Sequence, residues 1–89
     1  MKGVRETNAY LKDLKRAMKR GKDFRKLLAI VELLAADEPL PPRCRPHRLS
    51  GRWQHVWECH IEPDWLLIYD VGDDAITLIR TGSHADLFD

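Results

Sequence analysis

Only two cysteines, Cys44 and Cys59, occur in the 89 residues, too few for a disulfide framework to carry the fold. No long apolar run is present either. The longest of note, Trp65 to Tyr69, falls far short of the roughly 20 residues that cross a bilayer as a helix, so no membrane partner is expected. The N-terminus lacks a basic start followed by an apolar signal core, and the expected location is the cytoplasm. Glycine is scarce, at five residues, and none sits in a phosphate-cradling loop, a Walker sequence or a nucleophile elbow. Zinc ligands at structural spacing are missing too. Cys44 and His47 make one isolated Cys-x-x-His, while Cys59 and His60 are neighbours on a strand and project to opposite faces. No metal and no cofactor is expected. A chain this short has room for one small domain, residues 1–89, and little for a deep cofactor pocket.

What the chain does have is charge, sorted along its length. The formal net charge is +1, yet residues 1–52 hold 14 Lys and Arg against 6 acids, and residues 53–89 hold Arg80 alone against 8. Local charge acts locally, so the first half points to an anionic partner, nucleic acid first among them. The competing reading is that these cations only solvate two helices.

Val4 to Glu6 reads as a short opening strand. Thr7 or Asn8 then caps a helix ending at Gly21, with Tyr10, Leu11, Leu14, Ala17 and Met18 on one face. Lys12, Lys15, Arg16, Lys19 and Arg20 cover the rest of it. Asp23 caps a second helix whose Phe24, Leu27, Leu28, Val31, Leu34 and Ala35 repeat the pattern until Asp37-Glu38-Pro39 stops it. The short link between the two favours an antiparallel helical hairpin. After the stiff Leu40-Pro41-Pro42 the period changes to two, with a strand from Trp53 to Ile61, a turn at Glu62-Pro63-Asp64, and a strand from Trp65 to Tyr69 apolar enough to be covered on both faces. Ala75 to Thr81 is a last strand, followed by a polar tail interrupted by Leu87 and Phe88. The fold class is therefore α+β: a short N-terminal strand, a helical hairpin, then a mainly antiparallel sheet of three or more strands packed on the helices.

Histidines are plentiful for this size: His47, His55, His60 and His84. His60 stands two residues from both Glu58 and Glu62, so simple alternation points all three to one side, with Asp64 just beyond. A carboxylate beside an imidazole holds one tautomer and suits it to moving a proton. Arg80 lies near His84 in Arg80-Thr81-Gly82-Ser83-His84, and that combination suits a phosphodiester: a cation for the non-bridging oxygens and a proton for the leaving 5′ oxygen. The competing reading pairs Arg80 with an acid of its own half, which spacing alone favours. RNA carries its own nucleophile in the 2′-OH, so such a site needs no metal. Trp53, Trp57, Trp65, Tyr69 and Phe88 are the aromatics that could stack on a base, but Trp57, Trp65 and Tyr69 read as core.

The run from His60 to Tyr69, followed by Arg80-Thr81-Gly82-Ser83-His84 and Leu87-Phe88, resembles the YafQ family of the RelE/ParE superfamily of bacterial type II toxins. Lys12-Asp13-Leu14-Lys15-Arg16, Lys19-Arg20-Gly21-Lys22-Asp23, Leu40-Pro41-Pro42-Arg43, His47 and Leu49-Ser50-Gly51 match in order, so the likeness covers nearly the whole chain. The resemblance implies a RelE-like fold and a ribosome-dependent endoribonuclease, an mRNA interferase that cuts translated message in the A site without metal. It implies a cognate antitoxin, usually a dimeric ribbon-helix-helix protein, with operator DNA bound only through the toxin-antitoxin complex. His47, Glu58, His60, Asp64, Arg80, His84 and Phe88 fall on the family's active-site positions. By that correspondence His84 is the general acid, Arg80 the phosphate stabiliser and Phe88 a residue positioning the message. His47 or His60, oriented by Asp64 or Glu58, takes the 2′-OH proton. Lys12, Lys15, Arg16, Lys19 and Arg20 are the expected RNA-gripping residues. The products implied are a 2′,3′-cyclic phosphate or 3′-phosphate and a 5′-hydroxyl. Two positions depart from the pattern: Cys44 stands where many relatives have an aromatic, and Trp57 where many have a base. Two alternatives remain, a ParE-like gyrase inhibitor and an inactive relative that keeps only antitoxin and operator binding.

Overall fold

The fold is a five-stranded sheet carrying two helices against its apolar face. The computed structural model describes residues 1–49 and 56–88. The elements in chain order are β1 (Gly3–Glu6), α1 (Asn8–Lys19), α2 (Phe24–Ala35), a short 3-10 turn (Pro42–Cys44), β2 (His47–Arg48), β3 (Trp57–Glu62), β4 (Trp65–Val71), β5 (Ala75–Gly82) and α3 (His84–Phe88). The sheet order is β1-β5-β4-β3-β2, antiparallel except for the parallel β1–β5 pair. Expectations that fell on Ser50, Gly51, Trp53, Gln54 and His55 lie outside the described residues.

Local chemistry sets the helix ends. The Thr7 hydroxyl accepts from the Tyr10 amide at 3.0 Å and Asp23 accepts from the Arg25 amide at 3.0 Å, each filling a donor that has no partner inside its helix. Both helices close with paired bonds that require a left-handed residue. Gly21, at φ 80°, lets Lys22 reach the Ala17 carbonyl, and Asp37, at φ 57°, lets Glu38 reach that of Leu33.

Tyr10 and Ala17 of α1 and Leu27, Ile30 and Val31 of α2 pack on Cys59, Ile61, Trp65, Leu67, Tyr69, Ile76 and Leu78 of the sheet. Each large aliphatic side chain so buried contributes about 1.5–3 kcal/mol. All of Trp65 to Tyr69 is buried, as its unbroken apolar run predicts for a central strand.

Two bulges break the alternation and decide which polar side chains share a face. Between β3 and β4 the register steps from His60↔Leu66 to Glu62↔Trp65, so Ile61 is the extra residue. Glu62 is thereby swung to the helix side, where Lys22 and Lys26 each approach it at 2.9 Å. This corrects the expectation that Glu58, His60 and Glu62 share one side. Between β4 and β5 the register steps from Tyr69↔Leu78 to Ile68↔Arg80, leaving Ile79 unpaired and moving Arg80 off the core face. The tail read as polar coil is the short helix α3, and the sequence pattern also gave no sign of β2 or the 3-10 turn.

Candidate functional site

The two bulges assemble the site. Directly opposed residues of an antiparallel pair share a face, so Glu58, Ile68 and Arg80 form one row across β3, β4 and β5, and His60, Leu66 and Gly82 form the next. Glu58 and Arg80 are thus two strand spacings apart, about 10 Å. β2 brings His47 opposite Glu58 from the other edge, and α3, leaving Gly82, brings His84 over the second row.

His84 is the most closely held of the site's side chains, although half exposed. Its Nδ1 lies 2.6 Å from Asp64 Oδ1, and its backbone N–H donates to the same oxygen at 2.9 Å. Those two bonds hold the Asp64 carboxyl below the usual carboxylate range. An ionised carboxylate only accepts, so Nδ1 carries the proton and Nε2 faces outward. Asp64 therefore serves His84. The expectation that Asp64 orients the base instead differs from this geometry.

The start of α3 is braced from behind. The Ser83 amide donates to Asp86 Oδ2 at 3.0 Å and the Asp86 amide to Ser83 Oγ at 3.1 Å, a reciprocal capping box. Arg20 then clasps Asp86 at 2.7 and 3.3 Å, tying α3 to α1. The Arg20 guanidinium, ahead of the Ser83 amide, drives the Asp86 carboxyl far down. Gly82 is required here, because a Cβ would come within 2.9 Å of Asp86 Cβ.

The second imidazole is held otherwise. His60 sits inside β3, only 9% exposed, with its ring centroid 5.8 Å from that of His84 and tilted 37° to it. Its buried Nδ1 has no hydrogen-bond partner among the described residues. Burial, followed by the Arg45 cation, pushes the His60 pKa down, which favours the neutral ring, the form a general base needs. His47 is more exposed and has an acceptor opposite each nitrogen: the Arg45 carbonyl 3.1 Å from Nδ1 and Glu58 Oε1 3.5 Å from Nε2.

Arg80 is paired, but with an acid of the opposite half: its Nε and Nη2 meet Asp13 of α1 at 2.5 and 3.2 Å. Phe88 is exposed at the end of α3. Trp65 is core, its Nε1 donating to Thr81 Oγ1 at 3.0 Å, and Tyr69 is core as well. Trp57 is half-buried, and the Arg48 guanidinium lies 5.6 Å above its ring, so a cation stands beside the position where the resemblance leads one to expect a basic residue.

The five expected RNA-gripping residues divide. Lys12, Lys15 and Lys19 are exposed and make no ion pair among the described residues, whereas Arg16 and Arg20 pair with Asp13 and Asp86. With Asp64, Trp65 and Ser83 these last four line a cavity of about 250 Å³ beside the His84–Asp64 pair. No group of three or more His, Cys, Asp or Glu able to hold a metal occurs among the described residues, and no described helix is long and apolar enough to cross a membrane. Sequence reasoning gave no role to Asp13 or Asp86. The spacing Ser83-x-x-Asp86 was the available signal for the second, while Asp13 lies among cations that mask it.

The family of bacterial toxins of type II toxin-antitoxin systems known as YafQ matches residues 2–89. The chain belongs to that family. It is 42% identical over 86 residues to the mRNA interferase toxin YafQ of Escherichia coli strain K12, covering 96% of this chain and 94% of that protein. The YafQ fold in the crystal structure of the E. coli DinJ-YafQ toxin-antitoxin complex superposes with a TM-score of 0.91 at 40% identity, over 99% of this chain and 98% of that one. A metal-bound toxin from Helicobacter pylori superposes with a TM-score of 0.93 at 37% identity, over 99% and 100% of the two chains. The expected family and α+β architecture are both borne out.

Proposed function

We propose that this protein is the toxin of a type II toxin-antitoxin pair, an endoribonuclease that cuts messenger RNA in the ribosomal A site and acts in the cytoplasm, where translated message is found. The observation that carries the reading is the pair of imidazoles 5.8 Å apart, one aligned by a carboxylate and the other buried with its Nδ1 unpartnered among the described residues. Two such groups can serve opposite ends of one phosphodiester. His60 accepts the proton of the 2′-OH, and the freed oxygen attacks phosphorus. The bond from phosphorus to the 5′ oxygen then breaks as His84, entering the step as the imidazolium, gives that oxygen its Nε2 proton and keeps Nδ1–H on Asp64, leaving a 2′,3′-cyclic phosphate and a 5′-hydroxyl. His60 is preferred to His47 as base because both His47 nitrogens already face acceptors. In this scheme Glu58 holds His47, Asp64 holds His84, Arg80 faces the charge that grows on the non-bridging oxygens, and Phe88 packs against the message. Each half of the proton transfer is worth roughly 10²–10⁴ in rate.

The named relatives supply the partner. The chain's assignment to a family whose E. coli member is seen with DinJ supports a cognate antitoxin here; we propose that this antitoxin is a ribbon-helix-helix dimer through which the pair reaches operator DNA. The test is to add purified wild-type protein and His84→Ala to a translation mixture and to naked message, with and without a chelator, and to map cuts and end groups. Cuts confined to translated message, ending in cyclic or 3′-phosphate, insensitive to chelation and lost in the variant, are expected. A folded, antitoxin-binding protein that makes no cut in either mixture would overturn the nuclease reading.

A further inference from the structure

Asp13 is a carboxylate buried in a helix whose neighbours are cations, and every lone-pair direction it has is used. Oδ2 accepts from Arg80 Nε at 2.5 Å and from the Thr81 backbone N–H at 3.2 Å, and Oδ1 accepts from Arg80 Nη2 at 3.2 Å and Arg16 Nη2 at 3.1 Å. Its side chain is 6% exposed, while that of Arg80 keeps 33%. β1 ends its pairing with β5 at Glu6↔Leu78; beyond it the Thr7 hydroxyl donates to the Ile79 carbonyl at 2.8 Å, and Asp13 takes over at the Thr81 N–H. The anchor of Arg80 is thus fixed to the backbone of the strand Arg80 itself belongs to.

The manner of pairing matters more than the pairing itself. A guanidinium has five N–H groups in one plane, and contact through Nε and one hydrogen of Nη2 uses only its side edge. The end edge, formed by one hydrogen of Nη1 and the second of Nη2, meets no acceptor among the described residues, and its spacing matches two oxygens of a phosphate. Three guanidinium groups, Arg16, Arg20 and Arg80, against the two carboxylates of Asp13 and Asp86 also leave the network one positive charge. The bulge at Ile79 has already put Arg80 into the row with Ile68 and Glu58. A long side chain left loose there would lose its rotamer freedom only on meeting RNA, whereas one already locked has met that cost on folding.

We infer that Asp13 is a positioning residue of the nuclease site, which holds Arg80 by its side edge and presents the end edge to the scissile phosphate. The inference rests on the proposed phosphate-stabilising role of Arg80. It is distinct from a purely structural role, in which Asp13 only closes the β5 edge.

The experiment is a double-mutant cycle on ribosomes programmed with message, using Asp13→Asn, Arg80→Ala and the double variant, with kcat and KM measured separately. Asparagine keeps one acceptor for the Thr81 N–H but cannot accept the charged fork on both oxygens. The expected result is a kcat lowered about tenfold to a hundredfold by Asp13→Asn with KM within twofold, and a double variant no slower than Arg80→Ala alone, since removing Arg80 leaves Asp13 nothing to position. Losses that multiply in the double variant, or Asp13→Asn cutting at the wild-type rate while Arg80→Ala is impaired, would overturn the inference and leave the nuclease reading standing. Arg80→Ala at the wild-type rate would remove Arg80 from the reaction and overturn the reading beneath it. Should Asp13→Asn not fold, Asp13→Glu keeps the charge but displaces it by one methylene, and the same cycle with the same outcomes decides.

Discussion

His60 and His84 sit 5.8 Å apart and are held in opposite ways. His60 belongs to a strand with neighbours on both sides and owes its character to burial, its Nδ1 having no hydrogen-bond partner among the described residues. His84 belongs to a five-residue helix outside the sheet, is half exposed, and owes its orientation to Asp64, with Ser83, Asp86 and Arg20 bracing the helix behind it. A buried neutral imidazole is suited to receiving a proton. An exposed one aligned by a carboxylate is suited to giving a proton. The sheet therefore supplies a fixed base, and a polar network supplies a braced acid. Substitutions should separate the two.

The largest effect is expected at His84. His84→Ala should lower cutting by about 10³-fold, through loss of the acid. Because the side chain is half exposed, melting temperature and antitoxin affinity should stay within error of wild type. Antitoxin titration alongside a cleavage assay checks this, and a variant that cuts normally would end the assignment. His60→Gln comes next, at about 10²-fold in rate, and here stability should respond as well. The folded ring has its pKa pushed below the usual imidazole value by burial and Arg45. The unfolded chain therefore binds the proton more readily, and wild-type stability is full above about pH 6.5 and falls as pH drops towards the lower folded value. His60→Gln should flatten that part of the melting-temperature profile. If His47→Gln, and not His60→Gln, abolishes cutting, the base has been misassigned.

Asp86→Ala attacks the acid arm from behind and should be milder. Loss of the reciprocal cap and of Arg20 should cost about 1 kcal/mol and slow cutting about tenfold by freeing α3, with His84 itself intact. The Asp86 carboxyl is held far below the usual carboxylate range by Arg20 and Ser83, so its contribution is present above about pH 4 and disappears as acid protonates it. Wild type and variant should converge in melting temperature towards low pH. Curves that stay parallel there would assign the difference to packing instead.

The contrast between fixed base and braced acid was only partly legible in the chain. Thr7, Asp23 and Gly21 announce helix ends because capping is settled within a few residues, and the run from Trp65 to Tyr69 announces a central strand because burial on both faces shows directly in composition. The bulges at Ile61 and Ile79 carry no such signal. Each depends on how one strand lies against another, yet together they decide that Glu62 leaves the histidine face and that Arg80 joins it. Asp13–Arg80 and Arg20–Asp86 join opposite ends of the chain, so the apparent division into basic and acidic halves dissolves in the fold. Glu62 and Asp86 neutralise cations of the first half, while Asp73 and Asp74 lie at the β4–β5 turn, the other end of β4 from the β3–β4 turn that holds Asp64.

That division of the cations yields the smallest predicted effect. Lys12, Lys15 and Lys19 lie on the exposed side of α1, and Arg16 and Arg20 on the side bound to Asp13 and Asp86. If α1 grips ribosomal RNA with its outer face, each lysine contact releases counterions. Replacing all three by alanine should reduce the slope of log binding constant against log salt by up to about 2, from the roughly 0.7 per phosphate seen with single strands. Weakening should be greatest at low salt, and cutting at saturating ribosomes should be unchanged, because none of the three reaches the histidines. Arg20→Ala should do the reverse, slowing cutting through α3 while leaving the salt slope nearly as it was. A salt titration of ribosome binding for both variants reads the difference. An unaltered slope in the triple lysine variant would place the RNA grip elsewhere than on the outer face of α1.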